Sequence, residues 1–265
     1  MFSGTDVLAA EGKSKVIYNK GVFQHSLMVG IPSTGIVRLE WAMARYGQVI
    51  PVNWSCGEFT VSFSDQLSPI GWLVHDARNI IVEQIVKQNI EWLIFVDHDV
   101  ILPPDCFQKL MAYVESREYP VVSGLYFTKG QPSEPLLFRG RGNGPFRKYK
   151  MGEKVMVDGV PCGCLLIHNS ILSYMWDNSP EYKLPDGRLT RLVFNTPRNR
   201  FFDFEAGVYN TQIGTEDLWW CDRILNEDVL KHAGFKALAQ RKYPFLVDTS
   251  IFCRHIDTNT GQQFP

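Results

Sequence analysis

"WLIFVDHDVILPPD", residues 92–105, joins a run that belongs in a protein interior to one that does not. Trp92 to Val96 is continuously apolar, with β-branched and aromatic side chains, the composition of a strand covered on both faces. Asp97, His98 and Asp99 follow at once, and Pro103 and Pro104 close the segment. In an open α/β sheet, ligands collect beyond the carboxyl ends of the parallel strands. The two carboxylates therefore belong at a site and not in the core. Spaced i, i+2, they repel unless a cation joins them, and oxygen donors suit hard ions such as Mg2+ or Mn2+. The plainer alternative is that Asp97 ends a strand and Asp99 caps a turn before Pro103.

Upstream, "HSLMVGIP" (25–32) predicts a strand stopped by Pro32, "RLEWAMARYG" (38–47) a helix closed by Gly47, and "QVIPVNWS" (48–55) a second strand. Between Ser68 and Asn89, the apolar positions Ile70, Leu73, Val74, Ala77, Ile80, Ile81 and Ile85 recur at helical spacing, with Ser68 as N-cap and Pro69 at the first helical position. Downstream, a helix to about Ser116 precedes the strand "YPVVSGLYF" (119–127). "VPCGCLLIHNSIL" (160–172) predicts another strand leading into a short helix. "TEDLWWCDRILNEDVLKHAG" (215–234) predicts a helix with Thr215 as N-cap and Gly234 past its end. Residues 128–150 and 178–214 are irregular and basic, and short strands run through "YPFLVDTSIFCRHID" (243–257). Strands alternating with helices predict an α/β fold with a mostly parallel central sheet flanked by helices. With neither repeat nor low-complexity linker, residues 1–265 are expected to form one unit, an α/β half (1–126) and an irregular half (127–265).

The formal charge of -1, with 45% hydrophobic and 21% charged residues, gives no global pull toward nucleic acid or membranes. No stretch reaches the roughly 18 to 20 apolar residues of a membrane helix, and the first residues lack the pattern of a secretory leader, so the expectation is a soluble cytoplasmic protein. Six scattered cysteines, none in a two-residue-gap pair, predict reduced thiols.

"HDARNIIVEQIVKQNIEWLIFVDHDVILPPD" (75–105) resembles the central signature of the GT-A glycosyltransferases, in particular their large inverting nucleotide-sugar-dependent family. There an "aRN" element rides a helix and the following strand ends in a DXD motif, matched here by Asp97, His98 and Asp99. Farther on, "PCGCLLIHNSIL" is similar to the family's glycine-bearing acceptor strand, "TEDLWW" to its ED motif, and "CRHID" to the late histidine that completes many metal sites. The resemblance implies a Rossmann-like GT-A fold whose 1–126 half binds nucleotide and whose 127–265 half binds acceptor. It implies a metal-dependent enzyme moving a sugar from a nucleoside-diphosphate sugar to an acceptor hydroxyl, with inversion. Mn2+ or Mg2+ would be held by Asp99, Asp97 and His255. The nucleotide would meet Pro32, Ser33, Asn53, Arg78, Asp97 and His98. Asn53 and Ser55 stand where many relatives carry an acid, which leaves the nucleobase open. Asp217 would be the general base, with Glu216 orienting it or binding substrate.

Each assignment has a plainer counterpart. Glu216 and Asp217 could simply complement a helix N-terminus, Arg78 could be a solvated helix residue, and His255 could be structural. At least one of Trp219 and Trp220 belongs to the core, because adjacent helical residues cannot share a face. The basic stretch holding Arg139, Arg141 and Arg147 is either a solvated loop, a lid, or a track for a polyanionic acceptor. A nucleotidyltransferase acting on a sugar phosphate, or a non-catalytic carbohydrate-binding protein of the same fold, are the rival functions.

Overall fold

The computed structural model describes residues 9–10, 13–14, 23–49, 59–140 and 142–265. Its centre is a seven-stranded sheet in the order Phe59–Leu67, Phe23–Gly30, Trp92–Val96, Cys164–His168, Val121–Leu125, Phe245–Phe252, Lys154–Val157. Phe23–Gly30 pairs in parallel with both of its neighbours, and Val121–Leu125 pairs in parallel with Phe245–Phe252. Cys164–His168 and Lys154–Val157 run against the rest. The fold is therefore mixed α/β with a mostly parallel central sheet.

Both faces of the sheet are covered, which explains the unbroken apolar runs. On one face Leu93, Phe95, Leu165 and Ile167 pack with Ile81 and Ile85 of the helix Val74–Gln88, Ile171 of Asn169–Asp177 and Trp220 of Glu216–Asn226. On the other, Trp92, Ile94 and Val96 meet Phe107, Leu110 and Val114 of Cys106–Ser116 and Trp41 of Leu39–Tyr46. Cys162 and Cys164 fall into these opposite layers, as their spacing predicts. The five described cysteines are buried.

Several expectations are corrected. The strand "CLLIH", whose direction the sequence left open, lies in the middle of the sheet antiparallel to both neighbours, because it arrives from the loop-rich stretch and not from a right-handed crossover. The helix expected from Ser68 begins at Val74, with Leu73 as an N-cap that makes no side-chain bond. Residues 69–71 instead grip the end of the first strand: Ser33 N donates to Pro69 O at 3.2 Å and Gly71 N to Ser33 O at 2.9 Å. Gly71 sits at φ +77, in the left-handed region that a helix cannot pass through. The helix expected over 215–234 stops at Asn226; Asp228 takes φ 54, and a separate turn, Val229–His232, buries Val229 and Leu230. Residues 178–214 contain two antiparallel hairpins, Glu181–Lys183 with Leu189–Arg191 and Arg198–Asp203 with Val208–Ile213. Of the strand expected over 48–55, Gln48 and Val49 are loop, while residues 50–58, Asn53 among them, lie outside the described residues. The strand beside the first one is Phe59–Leu67.

Candidate functional site

The chain turns sharply after Val96. Asp97 N donates to Gly163 O at 3.0 Å, Asp97 O accepts from Val100 N at 3.1 Å and from Trp41 Nε1 at 2.8 Å, so the turn is fixed from three sides. Val100–Ile101 then pairs antiparallel with Arg254–Ile256, setting His255 opposite Val100, and Ile256 N donates to Asp99 O at 2.8 Å. A register of two rungs thus carries a histidine from the end of the chain to the acidic turn.

Asp97 faces into the fold toward Arg78. Arg78 Nη2 lies 3.0 Å from both carboxylate oxygens but donates with hydrogen-bond geometry only to Oδ2, which leaves Oδ1 buried without a hydrogen-bond partner. Arg78 Nε donates to Glu216 Oε1 at 3.2 Å, and the guanidinium lies 4.9 Å from the Phe95 ring centroid. The residue is 1% exposed, so the solvated-helix alternative is excluded. Burial works against its charge, but Asp97 and Glu216 more than offset this and hold it protonated. Burial, with repulsion from Asp99 and Glu216, raises the Asp97 pKa against the pull of Arg78. Arg78 therefore ties the acid of the turn to the first acid of the Glu216–Asn226 helix.

Asp217, next along that helix, has its pKa pushed up to about 6, first by burial and then by Glu216; hydrogen bonds from the Thr215 hydroxyl and Leu218 N limit the rise. The plain helix-terminus reading does not predict this rise, since a helix N-terminus lowers a carboxylate pKa. A cleft of about 340 Å³ is lined by Phe138, Gly140, Gly142, Gly144 and Leu218, the residue that follows Asp217. Trp220 is fully buried in the core while Trp219 lies under the Arg223 guanidinium, which divides the tryptophan pair as expected.

On the outer side Asp99 pairs with Lys129. His255 Nδ1 donates to the Phe127 carbonyl; an oxygen that can only accept fixes the proton on Nδ1 and leaves Nε2 with the lone pair. Burial, aided by Lys129, lowers the His255 pKa against the pull of Asp99, so the ring is neutral near pH 7. His98 has Nδ1 3.2 Å from Pro32 O and Nε2 3.2 Å from Thr34 Oγ1, which fastens the loop after the first strand, with Ser33, to the acidic turn. Pro32, Ser33, Arg78, Asp97, His98, Asp99, Glu216, Asp217 and His255 are thus joined at one end of the sheet. Among the described residues no group of three His, Cys, Asp or Glu side chains is arranged to hold a metal ion.

Two arginines of the basic stretch are engaged. Arg139 donates twice to Met156 O and lies against the rings of Phe146 and Tyr243, and Arg147 pairs with Glu134. Arg141 lies outside the described residues.

Sequence reasoning missed Lys129, Trp41, Tyr126 and Gly163. Lys129 follows the strand Val121–Leu125, so the rule that singled out Asp97 and Asp99 reaches it too. Tyr126 Oη accepts from Gly163 N at 2.7 Å and its ring meets His255 edge-on at 4.8 Å. A Cβ on Gly163 would fall 2.4 Å from that oxygen and 2.8 Å from Val100. Gly163→Ala is expected to displace Tyr126 and to cost about 1 to 3 kcal/mol, read as a lower urea midpoint with an unchanged m-value.

No family model matches the chain, and no curated protein matches it. Among solved structures it is similar to A197 from STIV, at 18% identity over 91% of this chain and 93% of that one, with a TM-score of 0.49. It is similar to TarS of S. aureus at 13% identity over 60% of this chain and 30% of that one (TM-score 0.34). It is also similar to a putative glucose-1-phosphate thymidylyltransferase from Bacillus anthracis, solved in complex with a sucrose, at 7% identity over 59% and 76% (TM-score 0.32). The chain spans less than a third of the length of TarS.

Proposed function

We propose that the protein is a glycosyltransferase that moves a sugar from a nucleoside-diphosphate sugar to an acceptor hydroxyl, with inversion. One observation carries the reading: Arg78 binds Asp97 and Glu216 at once, so the acidic turn and the helix that bears Asp217 are held in one site. Asp217 is the acid suited to accept the acceptor's proton, because a base with a pKa near 6 is ionised at pH 7 yet not too weak to take a proton. Glu216, engaged by Arg78, orients it. We assign the acceptor to the cleft at Phe138, Gly140 and Leu218, the last of which follows this acid in the chain.

A diphosphate leaving group needs positive charge as the anomeric bond breaks, and a divalent ion supplies it by neutralising the departing oxygens. The donor chemistry fits Mn2+ or Mg2+: the Asp99 carboxylate, the Asp97 carboxylate, whose Oδ1 faces Arg78 but accepts no hydrogen bond, and the lone-pair nitrogen of His255 are oxygen and imidazole donors around one turn. They form no preassembled three-residue cage, which is the common arrangement for Mg2+, held by one or two carboxylates with the substrate's phosphates completing the shell. Lys129, the counter-charge of Asp99, is placed to meet a phosphate oxygen. Pro32, Ser33 and His98 border the nucleotide side.

A thermal-shift series tests this. Mn2+ alone is expected to move the midpoint little, and Mn2+ with a nucleoside diphosphate by several degrees, a gain lost in Asp99→Ala. Equal shifts with and without the metal would count against the assignment. Product analysis separates the rival nucleotidyltransferase, which releases pyrophosphate where a glycosyltransferase releases nucleoside diphosphate.

A further inference from the structure

The hairpin Arg198–Asp203 with Val208–Ile213 forms a sheet of its own and, among the described residues, pairs with no strand of the central sheet. Its base is closed by Gly214 N donating to Pro197 O at 2.9 Å, two residues before Glu216. A lone two-stranded hairpin is marginal in water, and apolar tips make it more so. Yet this one carries Phe204 at 89% exposure, Tyr209 at 76%, Val208 at 51% and Phe202 at 39%. The rings are gathered together: the Phe202 centroid lies 5.1 Å from those of both Phe204 and Tyr209.

The order of residues along the arm identifies what it meets. Phe202 pairs with Tyr209, Arg200 with Thr211, and Arg198 with Ile213, so residues 198, 200 and 202 share a face. From tip to base that face reads aromatic ring, Arg200, Arg198, with steps of roughly 7 Å between alternate residues. Both arginines are exposed and pair with no acid among the described residues. The acids nearby are Asp203 and Glu205. The Asp203 carboxylate accepts from Glu205 N, Ala206 N and Asn210 Nδ2, each at 3.0 Å, and is occupied in shaping the turn; Glu205 is exposed. Aromatic side chains leading and guanidinium groups one and two steps behind match the depth profile of a bilayer surface. Rings sit about 5 to 10 Å into the headgroup and acyl boundary, and cations meet the phosphates above it.

We propose that this hairpin is a membrane-docking arm that inserts Phe202, Phe204 and Tyr209 into the surface of an anionic bilayer and sets Arg198 and Arg200 against its phosphates. The proposal goes beyond the transfer reaction and does not depend on it. If transfer is the activity, the short link from arm to Asp217 brings the acceptor side of the site to the membrane surface.

Sedimentation with vesicles tests it, using the whole chain with phosphatidylglycerol and phosphatidylcholine mixed, or phosphatidylcholine alone. The wild type is expected to sediment with the anionic vesicles at least fivefold more than with the neutral ones, less so in high salt. Phe204→Ser with Tyr209→Ser is expected to cut binding at least tenfold, and Arg198→Gln with Arg200→Gln to abolish the preference for anionic lipid. Circular dichroism melts of both variants should match the wild type, because the arm pairs with no other strand among the described residues. Failure of the wild type to sediment with either vesicle overturns the proposal, as does undiminished binding by the aromatic variant. So does a size-exclusion or saccharide-binding measurement in which the same aromatic substitutions break a dimer or release a glycan while vesicle binding is absent.

Discussion

Asp217→Asn is expected to lower transfer by about 10² to 10⁴-fold, the range for loss of a positioned general base, with donor binding little changed. The pH dependence makes the expectation specific. Burial and Glu216 raise the Asp217 pKa to about 6, so the wild-type kcat/KM, which reports the free enzyme, should climb through an apparent pKa near 6. In the asparagine variant the residual rate should lose that limb. Stability runs the opposite way. A carboxyl whose folded pKa lies above its unfolded value of roughly 4 contributes stability below that value, and the contribution is lost as pH rises through about 6. Above pH 6 the wild type holds a charge in a desolvated place, and asparagine removes it. Asparagine keeps an oxygen that can accept from Leu218 N and the Thr215 hydroxyl. The variant should therefore be at least as stable as the wild type at pH 7, which separates lost chemistry from lost fold. An unchanged rate, or an acid limb surviving in Asp217→Asn, would assign the base elsewhere.

The acidic turn was legible because strand burial and charge change over within one residue, between Val96 and Asp97. Periodicity in the sequence likewise found the helix Val74–Gln88, whose apolar positions Ala77, Ile81 and Ile85 face the sheet. Its beginning was not legible. Ser68 and Pro69 are good helix-starting residues, but the backbone at Pro69 and Gly71 gains partners on Ser33, a long-range bond that local preference cannot register. The direction of Cys164–His168 was hidden for a similar reason, since an apolar strand buried on both faces looks the same in either orientation. At the site, residue types and spacing pointed to Asp97 and Asp99, and the family resemblance to Asp217 and His255, but neither told what holds them. That Arg78 points inward, and that Lys129 faces Asp99, depends on the meeting of segments far apart in the chain. The aromatic arm was missed because "RNRFFD" and "VYNTQI" lack the regular apolar face by which a half-buried strand is recognised.

Arg78→Met is expected to destabilise the fold by about 3 to 5 kcal/mol, the cost of breaking a buried ion pair by removing one partner. Arg78 is 1% exposed and serves two acids, so methionine, though close in volume, leaves Asp97 and Glu216 facing each other without a cation. Deprived of Arg78, the Asp97 carboxyl, already raised by burial, acquires a folded pKa farther above its unfolded value of roughly 4. The variant's stability must therefore fall as pH rises through those values, and its deficit against the wild type should be widest at neutral pH and narrow toward pH 4. Urea unfolding at pH 4.5 and 7.5 measures both arms of this expectation. Adding Asp97→Asn and Glu216→Gln to Arg78→Met should restore much of the loss, because an uncharged buried cluster avoids the penalty of unpaired charge. Arg78→Lys should fall between: it keeps the charge, but a single ammonium cannot reproduce the fork that reaches Asp97 through Nη2 and Glu216 through Nε. A deficit under about 1 kcal/mol in Arg78→Met, independent of pH, would mean that water or another cation already screens the two acids. The shared counter-charge would then no longer be what holds the acidic turn to the Asp217 helix.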